Sequence, residues 1–124
     1  MIGKICTSLT PFYDVKIKRN SYKARPVLVI GYADSRDYVV LPISRVTRKE
    51  HIHPVYDVQI LMKQYPNLNL TADSYVRTHK QTIVNAASIS GVIADLKTEY
   101  VDLFLEILSM REDFNEKLTE MAIS

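Results

Sequence analysis

Residues 23–32, KARPVLVIGY, and residues 38–44, YVVLPIS, are two short apolar runs, each with one polar group at its edge. Arg25 precedes the apolar part of the first run, and Ser44 closes the second. Pro26 fixes its own φ and has no amide hydrogen, which suits the first residue of a strand and steers Arg25 to an extended conformation. If the two runs are neighbours in one sheet, Arg25 and Ser44 lie at the same edge.

Further β-rich segments recur through the first two thirds of the chain, separated by turn-forming residues. This spacing predicts a mainly β protein, built as a small and strongly bent antiparallel sheet or barrel. Residues 13–23, YDVKIKRNSYK, are too polar and basic for a core and are predicted to form a long loop. The predicted strands are residues 2–9, 26–32, 38–43, 55–62, 73–76 and 82–84.

The apolar period changes after residue 84. A longer helix is predicted from about residue 98 to about residue 121, with Thr98 as its N-cap. Its apolar residues lie on more than one face, so we expect cover from the sheet and from a second copy of the chain. Before it, residues 86–96 have apolar side chains at i, i+3, i+4 and i+7, which predicts a short helix. These four are Ile89, Val92, Ile93 and Leu96.

The composition is that of a globular protein, with 47% apolar and 24% charged residues. The 124 residues suit a single domain that spans residues 1–124. No apolar run approaches the roughly 18 residues of a membrane span, and no signal-peptide pattern is present, so we expect a soluble cytoplasmic protein without a membrane partner. Cys6 is the single cysteine and is expected to be buried, and no zinc-ligand spacing occurs, so neither a metal nor a cofactor is predicted.

Charge is segregated along the chain. Residues 1–90 hold thirteen Lys and Arg against six Asp and Glu, whereas residues 91–124 hold three against eight. The two parts therefore carry +7 and −5, which sum to the +2 of the whole chain. A basic body indicates a polyanionic partner, because phosphates are bound largely through Lys and Arg. The acidic part is equally explained as the solvated face of a terminal helix.

The loop that follows Ser44 concentrates cations suited to tracking a phosphate backbone. Its candidate contacts are Arg45, Arg48, Lys49, His51 and His53. A histidine can also exchange a proton near neutral pH, and two histidines two residues apart can chelate a metal, although no carboxylate or cysteine completes such a site. Loop histidines without a function are the commonest alternative.

The basic segment 13–23 offers a second set of contacts. Tyr22 is the candidate for stacking on an unpaired base, with phosphate contacts around it from Lys16, Lys18, Arg19 and Lys23. Tyrosines in a sheet are more often packing residues, so that alternative stays open for Tyr22.

Taken in order, these motifs resemble the MazF/PemK toxins of bacterial toxin–antitoxin systems. The match runs from about residue 2 to residue 95, and its short motifs are specific through their joint order. They are Ile-Gly-Lys-Ile at 2–5, Arg-Pro-Val-Leu-Val-Ile at 25–30, Val-Val-Leu-Pro-Ile-Ser at 39–44 and Ser-Tyr-Val-Arg-Thr at 74–78. The resemblance implies a compact SH3-like barrel of the CcdB/MazF type with a C-terminal helix. It also implies a homodimer and a metal-independent endoribonuclease that a cognate antitoxin restrains.

The resemblance also implies roles for individual residues. Arg25 matches the catalytic arginine of the family, and Ser44 matches the hydroxyl residue that closes the Pro-Ile-Ser motif. Arg77 and Thr78 match the border of the active cleft, as candidate contacts to single-stranded RNA. The implied reaction is attack by a 2′-hydroxyl on the adjacent phosphate, which leaves a 2′,3′-cyclic phosphate and a 5′-hydroxyl. A guanidinium suits stabilisation of the added charge, and a serine hydroxyl suits donation to the phosphate.

Three departures from the family pattern bear on specificity. Lys4 and Cys6 stand where an acidic residue and an aromatic are more usual, Ser44 stands where threonine is common, and the final helix is longer than typical. Two other functions stay open on the same barrel. One is a non-enzymatic toxin such as a CcdB-like gyrase inhibitor, against which the absence of tryptophan counts. The other is an RNA-binding module that does not cut.

Overall fold

The computed structural model describes residues 1–45 and 47–124. These residues form a curled antiparallel half-barrel of seven strands, followed by a C-terminal helix, which confirms the prediction of a mainly β protein. The strand order is β4-β5-β3-β2-β1-β7, and β6 pairs with β3 off this path. The strands are β1 Lys4–Asp14, β2 Arg19–Asp34, β3 Asp37–Ser44, β4 Asp57–Ile60, β5 Ser74–Arg77, β6 Thr82–Asn85 and β7 Ile89–Asp95.

Both faces of the central strands are buried. Side chains of one strand alternate between two clusters, so that Ile5 and Leu28 lie in the main core while Cys6, Val27 and Val29 lie in a second cluster. The main core also receives the C-terminal helix, through Leu103, Phe104 and Ile107. A strand buried on both faces needs apolar residues at successive positions. This requirement explains the continuous apolar runs of β2 and β3.

The predicted loop at 13–23 is wrong, because these residues belong to a long β-hairpin. β1 and β2 pair from Ile5–Leu28 to Asp14–Arg19, and only the turn at residues 15–18 lies between them. Lys18 adopts φ 53° in that turn. The outer half of the hairpin is largely exposed. A ribbon in solvent has no buried face, so its sequence lacks the apolar alternation that marks a strand.

β2 therefore begins at Arg19 rather than at the predicted residue 26, and Arg25 and Pro26 lie within the strand. Both pair with β1, Arg25 opposite Ser8 and Pro26 opposite Thr7. On its other side, β2 pairs with β3 only as far as Val27–Pro42. The expected role of Pro26 holds on this second side, because a residue without an amide hydrogen cannot extend the ladder.

The short helix predicted at 86–96 is also wrong. Residues 86–88 form one 3₁₀ turn, and Ile89–Asp95 form β7, which pairs with β1. The pairing register shifts between Ile5 and Cys6, and again between Thr7 and Ser8. Such bulges break the two-residue alternation of a strand. The apolar residues of β7 are consequently spaced as in a helix.

The predicted C-terminal helix is divided in two, α1 Leu96–Glu99 and α2 Val101–Ile123. Thr98 is not an N-cap and lies inside α1, whose N-cap Asp95 accepts from the Thr98 amide at 3.1 Å. The N-cap of the long helix α2 is Tyr100, which makes no side-chain capping bond. Tyr100, at φ −142° and ψ 69°, separates the helices. No helix of residues 1–45 and 47–124 has the length and apolar character needed to cross a membrane.

Candidate active site

A cleft of about 370 Å³ opens where β2 and β3 stop pairing. Beyond Val27–Pro42, β3 keeps a partner only on its other edge, where Ile43 and Ser44 pair with β5. Continued by two residues, the β2–β3 register sets Arg25 opposite Ser44. The two groups that the sequence selected thus lie across the open end of one ladder. The polar side chains that line the cleft are Arg25, Ser44, Arg45, Thr47, His51 and Arg77.

A second groove of about 290 Å³ continues from this cleft along the β1–β2 hairpin. Arg25 and Ser44 line both cavities. The groove has a more apolar wall, to which Phe12 contributes, and Lys23 lies at its side. The Lys23 ammonium is 4.8 Å from the centroid of the Phe12 ring. Cationic and aromatic groups in this pairing suit the phosphates and bases of a single strand.

Arg77 is held in the cleft by a buried carboxylate that sequence reasoning missed. Its Nε donates to Asp57 Oδ1 at 3.2 Å, and its Nη2 donates to the His51 carbonyl oxygen at 3.1 Å. The Asp57 side chain is 0% exposed and also accepts from the His53 amide at 2.7 Å. The available signal was a single acidic residue in a predicted strand directly after the cationic loop.

The two loop histidines lie in different environments. His51 lines the cleft, whereas His53 is turned into the fold. His53 Nδ1 accepts from the amides of Val55 and Tyr56, both at 3.1 Å. Its ring lies 4.9 Å from the Tyr56 ring and 4.8 Å from the His79 ring. These contacts give His53 a structural role in shaping the loop. His53 is not among the described residues that line the cleft.

His79 belongs to the same internal cluster. Its Nδ1 lies 3.7 Å from Asp57 Oδ1, and its ring lies 6.1 Å from that of Phe114 on α2. Burial lowers the pKa of His79, and the Asp57 carboxylate opposes that effect. The imidazole therefore favours its neutral form, and it packs between β5 and α2 rather than in the cleft.

The structure contradicts the RNA contact that the resemblance implies for Thr78. Thr78 is 1% exposed, and its hydroxyl donates to the Tyr56 carbonyl oxygen at 2.6 Å. Successive residues of an extended chain point to opposite sides, so Arg77 reaches the cleft while Thr78 points inward. A buried hydroxyl that already donates its hydrogen inside the fold is not accessible to an RNA strand.

The remaining predicted contacts are exposed but do not line the cleft. Tyr22 is 68% exposed, which excludes the packing role left open for it. Arg48 and Lys49 are exposed at the start of the 3₁₀ turn that carries His51. The other exposed cations are Lys16, Lys18 and Arg19, at the outer end of the β1–β2 hairpin.

The described residues give little support for a metal site or for a reactive thiol. In the part of the chain that the structure describes, no group of three or more His, Cys, Asp or Glu side chains is placed to hold a metal ion. Cys6 is fully buried, as expected. Burial raises the pKa of its thiol, which disfavours the reactive thiolate.

Comparisons with known proteins add no residue to this site. No protein-family model matches the chain, and no curated protein matches it. The MazF/PemK resemblance therefore stays a prediction that rests on the four motifs quoted above.

Proposed function

We propose that this protein is a metal-independent endoribonuclease that cleaves single-stranded RNA. The reaction is attack of a 2′-hydroxyl on the adjacent phosphate, with products ending in a 2′,3′-cyclic phosphate and a 5′-hydroxyl. One observation carries the proposal: Arg25 and Ser44, chosen from sequence motifs, line the same cleft. Two further arginines, Arg45 and Arg77, line it with them.

Each side chain of the cleft has a task that suits its chemistry. Arg25 donates to the non-bridging oxygens of the scissile phosphate, where negative charge grows in the transition state. Ser44, on the opposite strand, donates one further hydrogen bond to the same phosphate. Arg45 binds a neighbouring phosphate and holds the strand in register for attack by its own 2′-hydroxyl. Arg77, tied to Asp57 and to the His51 carbonyl oxygen, adds fixed positive charge to the cleft. None of these tasks requires a metal.

The same proposal covers the fold type and the biological setting. The half-barrel belongs to the SH3-like CcdB/MazF type, and the protein acts in the cytoplasm as the homodimeric toxin of a type II toxin–antitoxin system. A cognate antitoxin protein restrains it. Support comes from the motif order and from exposed apolar side chains on α2, such as Leu118 and Met121, that offer a surface to another chain.

An RNA-binding module without nuclease activity is the second candidate. The exposed Tyr22 and the neighbouring cations of the hairpin favour it, because stacking and phosphate contacts suffice to bind a single strand. It differs from the leading proposal only in the fate of the bound RNA.

The test is to incubate the protein with a long single-stranded RNA in EDTA, beside Arg25→Ala and the matched control Arg36→Ala. Arg36 is exposed in the β2–β3 turn and does not line the cleft. We expect cleavage by the parent and by Arg36→Ala, and a rate about 10²–10³-fold lower in Arg25→Ala, as for other lost donors to a transition-state oxyanion. The new 5′ ends should accept label from a polynucleotide kinase without phosphatase treatment.

Other outcomes select other functions. RNA that is bound but left intact by the parent indicates the binding module. Intact RNA together with arrested DNA supercoiling indicates a gyrase inhibitor of the CcdB kind. Equal rates for Arg25→Ala and the parent would contradict the role given to Arg25.

A further inference from the structure

The proposed reaction needs a group that takes the proton of the attacking 2′-hydroxyl, and Arg25 and Ser44 do not supply one. A guanidinium stays protonated in proteins, and a lone serine hydroxyl is a poor base. Histidine is the side chain whose ordinary pKa makes it a base near neutral pH. His51 is the one imidazole among the described residues that line the cleft.

The other two histidines are occupied elsewhere. His53 uses its Nδ1 to accept two backbone amides and stacks on Tyr56. His79 is packed between Asp57, His53 and Phe114. Neither lines the cavity that Arg25 and Ser44 share. The sequence presents His51 and His53 as equivalent, and their contacts in the fold separate them.

The backbone that carries His51 is fixed at two points by one buried carboxylate. Asp57 accepts directly from the His53 amide at 2.7 Å. Through its ion pair with Arg77, it also reaches the His51 carbonyl oxygen, to which Arg77 Nη2 donates at 3.1 Å. A fully buried carboxylate is costly to a fold unless it is paired and hydrogen-bonded. Here its partners hold the segment that presents His51 to the cleft.

We propose that His51 is the general base of the reaction and that Asp57 is a positioning residue that orients it through Arg77. This inference rests on the proposed endoribonuclease function. An unprotonated ring nitrogen of His51 takes the 2′-hydroxyl proton while the 2′-oxygen forms a bond to phosphorus. The bond between phosphorus and the 5′-oxygen breaks, and a solvent water protonates the leaving oxygen. The imidazolium then returns its proton to solvent.

Charged side chains from several elements line the cleft together with His51. Arg25, Arg45 and Arg77 face it from β2, from the end of β3 and from β5, and Lys49 and Glu50 flank it along the chain. Because a base acts in its unprotonated form, kcat/KM should rise with pH and then level off.

The first test is the pH dependence of kcat/KM between pH 5 and 9 for the parent, His51→Gln and the neighbouring control Glu50→Gln. We expect the parent and Glu50→Gln to gain about tenfold per pH unit on the acid side. His51→Gln should be about 10²–10⁴-fold slower at neutral pH and should lose the acid limb. His51 is exposed, so circular dichroism should show both variants to be folded.

Chemical rescue gives an independent measurement. His51→Gly leaves space beside the scissile phosphate, and added imidazole should raise its cleavage rate in proportion to the concentration of the neutral form. The Arg25→Ala variant should show no such rescue, because it lacks a different function.

The positioning role of Asp57 is tested by a double-mutant cycle. Asp57→Asn keeps an acceptor for the His53 amide but removes the charge that holds the Arg77 guanidinium. We expect kcat to fall about tenfold in the parent, with KM changed less than twofold, and to change less than twofold when added to His51→Gln. A purely structural role would lower kcat equally in both backgrounds and would overturn this part of the proposal.

The failures of the two proposals are distinguishable. If the parent cleaves RNA and Arg25→Ala does not, while His51→Gln keeps the parental rate and acid limb, the assignment of His51 is overturned and the nuclease stands. If the parent leaves RNA intact at every pH, both are overturned.

Discussion

Pro26 marks the point where the cleft opens. It lacks the amide hydrogen that would extend the ladder, and the β2–β3 pairing ends at the adjacent pair, Val27–Pro42. Two positions further along this register, Arg25 and Ser44 are released from strand pairing with each other while their backbones are still held by β1 and β5. Rigid strands thereby position the two side chains in one cleft.

Gly3 is the residue at which a single methyl group should be most costly to the fold. Its φ is +89°, and a Cβ added there would overlap the Lys97 Cβ. We expect Gly3→Ala to lower the free energy of unfolding by about 2–4 kcal/mol, from the unfavourable φ and from overpacking against α1. Urea unfolding measures this loss.

Gly91→Ala is the matched control for that substitution. No atom lies within 4 Å of a Cβ added to Gly91, and its φ is not positive. We expect a change within about 0.5 kcal/mol, because nothing obstructs the methyl group. Equal losses in the two variants would contradict the close approach of Gly3 to α1.

At the scale of elements, α2 is packed along only its first part. Leu103, Phe104 and Ile107 are buried, and Phe114 makes an edge contact with Tyr56 at a centroid distance of 5.0 Å. Every residue from 116 to 124 is exposed. At 1.5 Å per residue, the exposed end is about 12 Å long. Its apolar side chains are therefore available to a second chain.

Phe114 and Leu118 should differ sharply in their effects on stability. Phe114→Ala removes the contacts with Tyr56 and His79 that bring α2 to the His51 loop, and we expect a loss of about 2 kcal/mol. Leu118 is 45% exposed, so Leu118→Ala should cost less than about 0.5 kcal/mol at low protein concentration. Thermal unfolding followed by circular dichroism measures both, and equal losses would mean that another chain already covers the end of α2.

At the scale of the whole molecule, the cationic and the acidic side chains lie mainly on different elements. The cations that line the cleft come from β2, the end of β3 and β5, whereas most acidic residues after residue 90 lie on α2. The acids solvate the outer face of a helix, and the cleft that they leave free is cationic. We therefore expect a polyanionic partner to bind on the side of the cleft.

The salt dependence of RNA binding should report this arrangement. Arg25→Ala, which is expected to cleave about 10²–10³-fold more slowly, serves as the parent for binding measurements on single-stranded RNA. Adding Arg45→Ala should lower the slope of log K against log salt concentration by about 0.7, the value for one lost contact to a single-strand phosphate. Lys63 lines a different cavity, so Lys63→Ala should leave the slope unchanged. Equal slopes in all three proteins would exclude Arg45 from the RNA path.

Sequence alone predicted the elements whose local pattern matches their environment. The central strands are buried on both faces and are therefore continuous apolar runs, and α2 has helical spacing from its start to its end. The sequence analysis did not predict the outer half of the β1–β2 hairpin or β7, and the two were missed for opposite reasons. The outer half of the hairpin is exposed on both faces and lacks a regular apolar pattern, and the bulges in β7 give its apolar residues a helical spacing.

The sequence by itself predicted that Arg25 and Ser44 lie at the same edge if their two runs are neighbouring strands, and Pro26 marks the end of the ladder between them. Only the tertiary structure decided which other groups join them. It brought His51 and Arg77 into the cleft and turned His53 and Thr78 inward. It also revealed Asp57 as the group that holds Arg77 and the His53 amide. Local spacing fixes the direction in which a side chain leaves its own element, whereas its neighbours depend on strand pairings between residues far apart in the chain.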